Sequence, residues 1–139
     1  MDIKLFFKEN IKTQTHKLAV SQRIKDAKDQ PIEWTIRPIN GDELEQLRMD
    51  CTEKIRNKKT GKLESRLNQE LLSKKLLVSA IVEPNPKDEQ LLQNYKVVSP
   101  EDVLGKMLLF GELTHLTLFV NEISGFDVDL DDVVDDLKN

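Results

Sequence analysis

Hydrophobic and polar residues alternate along Ile32 to Arg37: Ile32, Trp34 and Ile36 fall on one side, Glu33, Thr35 and Arg37 on the other. A period of two is the signature of a strand with one buried face. In the stretch Leu18 to Ile24, Leu18, Val20 and Ile24 share a side with Gln22 as the polar exception, which predicts a second strand. The polar stretch Lys25 to Pro31 joins the two, so they read as an antiparallel hairpin, and Pro38 closes its second strand. Two strands alone are marginal in water, so the hairpin must lie against helices.

After Pro38 the period changes. Asn40 followed by Glu43 is a capping-box pattern, and Leu44, Leu47, Cys51 and Ile55 form a helical stripe behind it. Lys58 to Gly61 interrupts the stripe. A second helix is predicted over 62–82, with Leu63, Leu67 and Leu71 as its stripe, broadening at Leu72, Leu76, Leu77, Val78 and Ile81. Pro84 stops it. Asn85-Pro86 predicts a helix over Lys87 to Asn94 with Leu91 and Leu92 inward. Ser99-Pro100-Glu101-Asp102 repeats the device for a helix carrying Val103, Leu104, Met107 and Leu108. Gly111 sets off a last helix with Leu113, Leu116, Phe119, Val120 and Ile123, and Ser124-Gly125 reads as its C-cap. Asp2 to Phe7 predicts a short helix docked on the core through Ile3, Phe6 and Phe7, the competing reading being an exposed interaction spot at Phe6 and Phe7.

The fold class these elements predict is α+β, an N-terminal antiparallel hairpin packed against a layer of about five helices. Residues 1–126 are expected to form one domain. Residues 127–139 are expected to form an acidic C-terminal tail, a short amphipathic helix or a mobile segment, with Val128, Val133, Val134 and Leu137 among its aspartates.

Of the 139 residues, 38% are hydrophobic and 33% charged, which suits a polar globular domain rather than a disordered chain. The net charge of −4 is unevenly placed: residues 122–139 hold seven acids and one lysine, or −6, and the remainder carries +2. A body so nearly neutral is not built to neutralise many phosphates. A single cysteine forms no intrachain disulfide and no thiolate cage, which suggests a cytosolic origin. Asp2, Lys4, Lys8 and Glu9 break every apolar run near the N-terminus, against a signal peptide. Leu71 to Val82 contains Lys74 and Lys75 and is too short to span a membrane.

Candidate chemistry is sparse. His16 and His115 have no cysteine, histidine or acid at metal-ligand spacing, so each reads as an ordinary structural or surface histidine. Cys51 lies on an apolar stripe, where free cysteine is inert. The pairs Glu43/Glu45 and Asp131/Asp132 are not set across a cleft as hydrolytic carboxylates must be. An EF-hand frame begun at Asp127 places Asp132 where glycine is required and Lys138 where glutamate is required. No phosphate-cradling glycine motif occurs. The expectation is a protein that is not an enzyme and uses neither cofactor nor metal. The basic stretch Lys54 to Lys62 keeps a second reading open, a small regulatory protein that binds nucleic acid, although no aromatic residue is interleaved for stacking. The acidic tail reads equally as a solubilising segment or as a docking edge for a basic amphipathic helix.

Several phrases resemble a known family. They are Ile3 to Glu9, the strand Pro31-Ile32-Glu33-Trp34-Thr35-Ile36-Arg37-Pro38-Ile39, and the acidic step Gly41 to Glu45 leading to Arg48, Cys51 and Thr52. Others are Glu101 to Leu109, Gly111-Glu112, and Val120-Asn121-Glu122-Ile123-Ser124-Gly125-Phe126-Asp127. Together they resemble the XkdN-like phage tail assembly chaperones of Gram-positive prophages over nearly the whole chain. Phe110 departs from the pattern, where a proline is expected, and Asn57 to Lys62 is shorter than the usual insertion. The resemblance implies a transient helper that keeps the long helical tape measure protein soluble while tail tube subunits polymerise around it. It implies the tape measure protein as partner, with the tail tube protein as a second, and neither nucleic acid nor membrane. The residues expected to meet the partner are Phe119, Phe126, Asp127, Asp129, Asp131, Asp132, Val133 and Leu137, aromatic and aliphatic anchors inside an acidic rim.

Overall fold

The computed structural model describes residues 1–126. Strands β1 (His16–Leu18) and β2 (Trp34–Ile36) pair antiparallel, His16 opposite Ile36 and Leu18 opposite Trp34. The expected hairpin is present with its paired part moved toward the N-terminus, and Val20 and Ser21 are buried beyond it. The connection is pinched by a lone bridge between Lys25 and Pro31, and the Asp26 carboxylate accepts from the amides of Lys28 and Gln30. Trp34 and Ile36 lie in the core, whereas Ile32, expected on the same side, precedes the strand and is exposed. Thr35 is buried as well because β2 is the central strand of three.

The chain continues through α1 (Gly41–Asp50), β3 (Thr52–Arg56), β4 (Leu63–Leu67), α2 (Gln69–Ala80), β5 (Ile81–Glu83), α3 (Glu89–Asn94), α4 (Pro100–Met107) and α5 (Phe110–Ile123). Strand β5 completes the sheet β1-β2-β5 antiparallel to β2. The result is an α+β fold, a small antiparallel sheet packed against five helices. Its core joins Trp34 and Ile36 of the sheet to Leu77, Val78 and Ala80 of α2, Val103 and Leu104 of α4, and Leu116 and Val120 of α5.

Three expectations are corrected. The first part of the predicted 62–82 helix, including Leu63 and Leu67, is strand β4, and Ile55 belongs to β3, not to the α1 stripe. Helix α2 starts only after Asn68, whose side chain accepts from the Leu71 amide as an N-cap. The end of the same predicted helix is β5, where β-branched Ile81 and Val82 precede Pro84. The N-terminal segment is not docked: two short 3₁₀ turns, Ile3–Phe6 and Lys8–Asn10, leave Ile3, Leu5, Phe6, Phe7 and Ile11 exposed.

Side-chain ties hold the layers in register. The Arg37 guanidinium grips Glu43 with two bonds of 2.9 and 2.7 Å, and Glu43 also closes the capping box with Asn40 at the start of α1. Arg23 donates to the Met107 carbonyl at the end of α4 and to the Glu112 carboxylate in the first turn of α5. Lys75 of α2 reaches Glu101 of α4 at 3.2 Å.

Candidate functional site

Helix α1 contains no buried residue. Of its apolar stripe, Leu44 and Leu47 are only half-buried, so its inward side is only partly covered. Leu44 instead forms one wall of an open groove of about 340 Å³ with Ile39, Leu76, Val120 and Phe126. Polar groups at the rim are Asn40, Arg48, Asn121 and Ser124. Among the described residues Arg48 has only a loose partner, Glu45 at 3.8 Å, and its side chain is about half exposed.

The end of α5 builds the groove's far wall. Gly125 takes φ +83°, and its amide donates to the Glu122 carbonyl while the Phe126 amide donates to the Asn121 carbonyl at 2.8 Å. This is a Schellman closure, and it needs a left-handed residue that glycine supplies without a Cβ penalty. The Ser124 hydroxyl accepts from the Ile39 amide at 2.9 Å and fixes the helix end to the β2–α1 link. The closure turns Phe126 to the groove with 64% of its surface exposed.

Of the expected partner-binding residues, Phe126 is thus on a groove. Phe119 is half-buried, packs on the core and meets the His16 ring edge-on at a centroid distance of 6.2 Å, and it does not line the groove. Asp127, Asp129, Asp131, Asp132, Val133 and Leu137 lie outside the described residues. Leu44, Arg48 and Leu76 were missed as site residues. The available signal was the weakness of the α1 stripe, with Leu44 and Leu47 as the only strong apolar positions before Met49.

A second cleft, of about 530 Å³, lies on the other side of Ile39 and Asn40 and contains the Arg37–Glu43 pair. The bidentate bond from Arg37 holds the Glu43 carboxyl below its ordinary value and raises the guanidinium, so both stay charged. These two groups are committed to each other and serve as a brace. Cys51 is buried at the end of α1, where desolvation pushes its thiol up, the opposite of what a nucleophile needs. His115 is exposed on α5. Among the described residues no cluster of three metal-ligating side chains occurs, and no helix is long and apolar enough to cross a membrane.

The basic stretch Lys54 to Lys62 forms the outer strand and turn of the β3–β4 hairpin, not a helix end. Every residue of the two strands is exposed except half-buried Leu67.

The model of the phage XkdN-like tail assembly chaperone protein family matches residues 3–138. The chain belongs to this family. It is 24% identical over 132 residues to the phage-like element PBSX protein XkdN of Bacillus subtilis (strain 168), covering 94% of this chain and 88% of that protein. It is 25% identical over the same length to YqbN of Bacillus subtilis (strain 168), with the same coverage. The crystal structure of YqbN shares the fold, with a TM-score of 0.74 at 22% identity over 91% of this chain and 98% of that one. A role in tail assembly follows from the family.

Proposed function

We propose that this tail assembly chaperone acts by binding a helical segment of the tape measure protein and keeping it soluble while the tail tube forms. In this reading residues 1–126 are one α+β domain, residues 127–139 an acidic extension of its binding surface, and the work is done in the bacterial cytoplasm. The observation that supports it best is the groove. An apolar floor of Ile39, Leu44, Leu76 and Val120 stands open beside an exposed phenylalanine, where the chain enters its acidic segment. An amphipathic helix lays its apolar side into such a groove, and the aspartates that follow Phe126 in the chain would pair with cations on its polar side. Affinity would rest on a few anchors rather than on contact area. Release needs no nucleotide, since polymerising tube subunits can compete for the same apolar stripe.

The hairpin's six cations keep nucleic acid as the alternative, but no aromatic residue lies between Thr52 and Leu67 to stack on a base.

Co-expression with the cognate tape measure protein tests the proposal. The full chain should raise the soluble fraction of the tape measure and co-purify with it, and Phe126→Ala should lower both. A full chain that neither solubilises nor retains any tape measure segment would overturn the reading.

A further inference from the structure

The β3–β4 hairpin, Thr52 to Leu67, has no cover among the described residues. It is tied to the body at its root, where the Asn68 amide donates to the Cys51 carbonyl and the Asn68 side chain to Glu53. Beyond that both faces of the two strands are exposed, and a solvated two-stranded ribbon is marginal on its own. Its charge is one-sided: Lys54, Arg56, Lys58, Lys59, Lys62 and Arg66 against Glu53 and Glu64, a net +4. None of the six cations makes a salt bridge with a described residue, whereas Arg23, Arg37 and Lys75 all do.

Register decides what each face offers. Lys54 lies opposite Ser65, Arg56 opposite Leu63, and Thr52 opposite Leu67, and directly paired residues share a face. One face therefore sets Lys54 and Arg56 beside Leu63, which is 60% exposed, and Leu67. The turn adds Lys58, Lys59 and Lys62 at the tip, held by the Asn57 side chain and by Gly61 at φ +73°. The surface is cationic with aliphatic ground between the charges.

Residues 127–139 have the complementary composition. Asp127, Asp129, Asp131, Asp132, Asp135 and Asp136 stand against Lys138 alone, a net −5, with Val128, Leu130, Val133, Val134 and Leu137 between them. They begin beside Phe126 on the groove that α1 walls, and α1 leads directly to the hairpin root at Cys51. Ten residues of helix span about 15 Å and five of strand about 17 Å. Thirteen residues extend to about 43 Å at most, so the segment reaches the hairpin tip from where it starts.

We infer that the leucine-bearing cationic face of the β3–β4 hairpin is a docking surface for the chain's own acidic C-terminal segment, residues 127–139, which covers it while no partner is bound. The contact neutralises hairpin and segment together, and a binding partner would displace it by taking the segment for itself.

Zero-length carbodiimide crosslinking of the full chain tests this without any tape measure protein, so its outcome is separate from that of the chaperone reading. At low salt, aspartates of the segment should link to Lys54, Lys58, Lys59 and Lys62 in preference to Lys17, Lys74 and Lys106. An equal mixture of isotopically distinct chains should show the links within single chains. They should be lost at about 1 M salt, where the Debye length is about 3 Å, and in a Lys58→Glu/Lys59→Glu/Lys62→Glu variant. As a second measure, hydrogen exchange over the hairpin should be several-fold faster when the six aspartates are replaced by asparagine. Absence of hairpin links at low salt, or their survival in the lysine variant, would overturn the inference. Links only between different chains would give the face to a second copy, and duplex DNA held at physiological salt through the hairpin lysines, with no segment links formed there at low salt, would give it to nucleic acid. Either result also overturns it.

Discussion

Trp34 shows how far one residue carries the fold. It is 1% exposed, in the central strand, and belongs to the cluster shared with α2, α4 and α5. Truncating a buried aromatic removes both its transfer free energy and the packing of everything around it. Trp34→Ala should therefore cost roughly 3–5 kcal/mol, a large part of the stability of a domain this size. Denaturant unfolding followed by circular dichroism reads the loss, and a change below about 1 kcal/mol would mean the strand is not buried. Phe126 and Phe119 make the opposite point. Both are phenylalanines near the end of α5, yet Phe119 is held on the core beside His16 while the Gly125 closure leaves Phe126 mostly exposed. Sequence alone paired them as anchors, because exposure is decided by where a helix stops.

At the scale of elements, Glu112 joins three pieces of chain. Its carboxylate takes the Arg23 guanidinium at 2.6 Å and the Leu109 amide at 2.8 Å, closing the first turn of α5. The bond from Arg23, with those from Ser21 and Leu109, holds its pKa down at about 2 against an ordinary 4.5. With a depressed folded value, the unfolded chain binds this proton first as pH falls. The contribution is whole above about 4.5 and is lost as pH falls toward about 2. Glu112→Gln should flatten the fall of stability across that window, measured as denaturation midpoints at successive pH values. An unchanged slope would mean the carboxylate is not gripped.

The same scale explains what the sequence could not disclose. The starts of α1 and α4 were legible from Asn40 with Glu43 and from Ser99-Pro100, and α5 from its apolar stripe alone, whereas α3 is capped by Asp88 and begins at Glu89, two residues after the start that Asn85-Pro86 predicts. The β3–β4 hairpin was not legible, because Leu63 and Leu67 are four apart. A spacing of four repeats on one face of a helix, and equally on one face of a strand, so it cannot choose between them. The choice was made by the turn at Asn57 to Lys62 and by the Asn68 cap, which moved the helix start to Gln69. The groove was hidden for a related reason. Leu44 looks like core in a helical stripe, and only the packing shows that it is half-buried and lines a groove.

At the scale of the molecule, charge and apolar surface are separated in a way that divides the work of binding. Residues 122–139 carry −6 and residues 1–121 carry +2, while the open groove is apolar and contains one cation, Arg48. Under the proposed function, long-range attraction would come from the acidic segment, and short-range adhesion from Leu44, Leu76, Val120 and Phe126. Electrostatics acts mainly on encounter, and desolvated anchors act mainly on residence time. Replacing Asp127, Asp129, Asp131 and Asp132 with asparagine should therefore slow association with a basic tape measure segment at low salt, on the order of tenfold. The same change should flatten the salt dependence and leave dissociation nearly unchanged. Phe126→Ala should do the reverse, shortening the life of the complex while association stays as it was. Stopped-flow association and dissociation at several salt concentrations separate the two. If the asparagine variant associates faster than the native chain, release of the segment from the hairpin limits encounter more than steering assists it. The acidic segment would then act first as a cover and not as a guide.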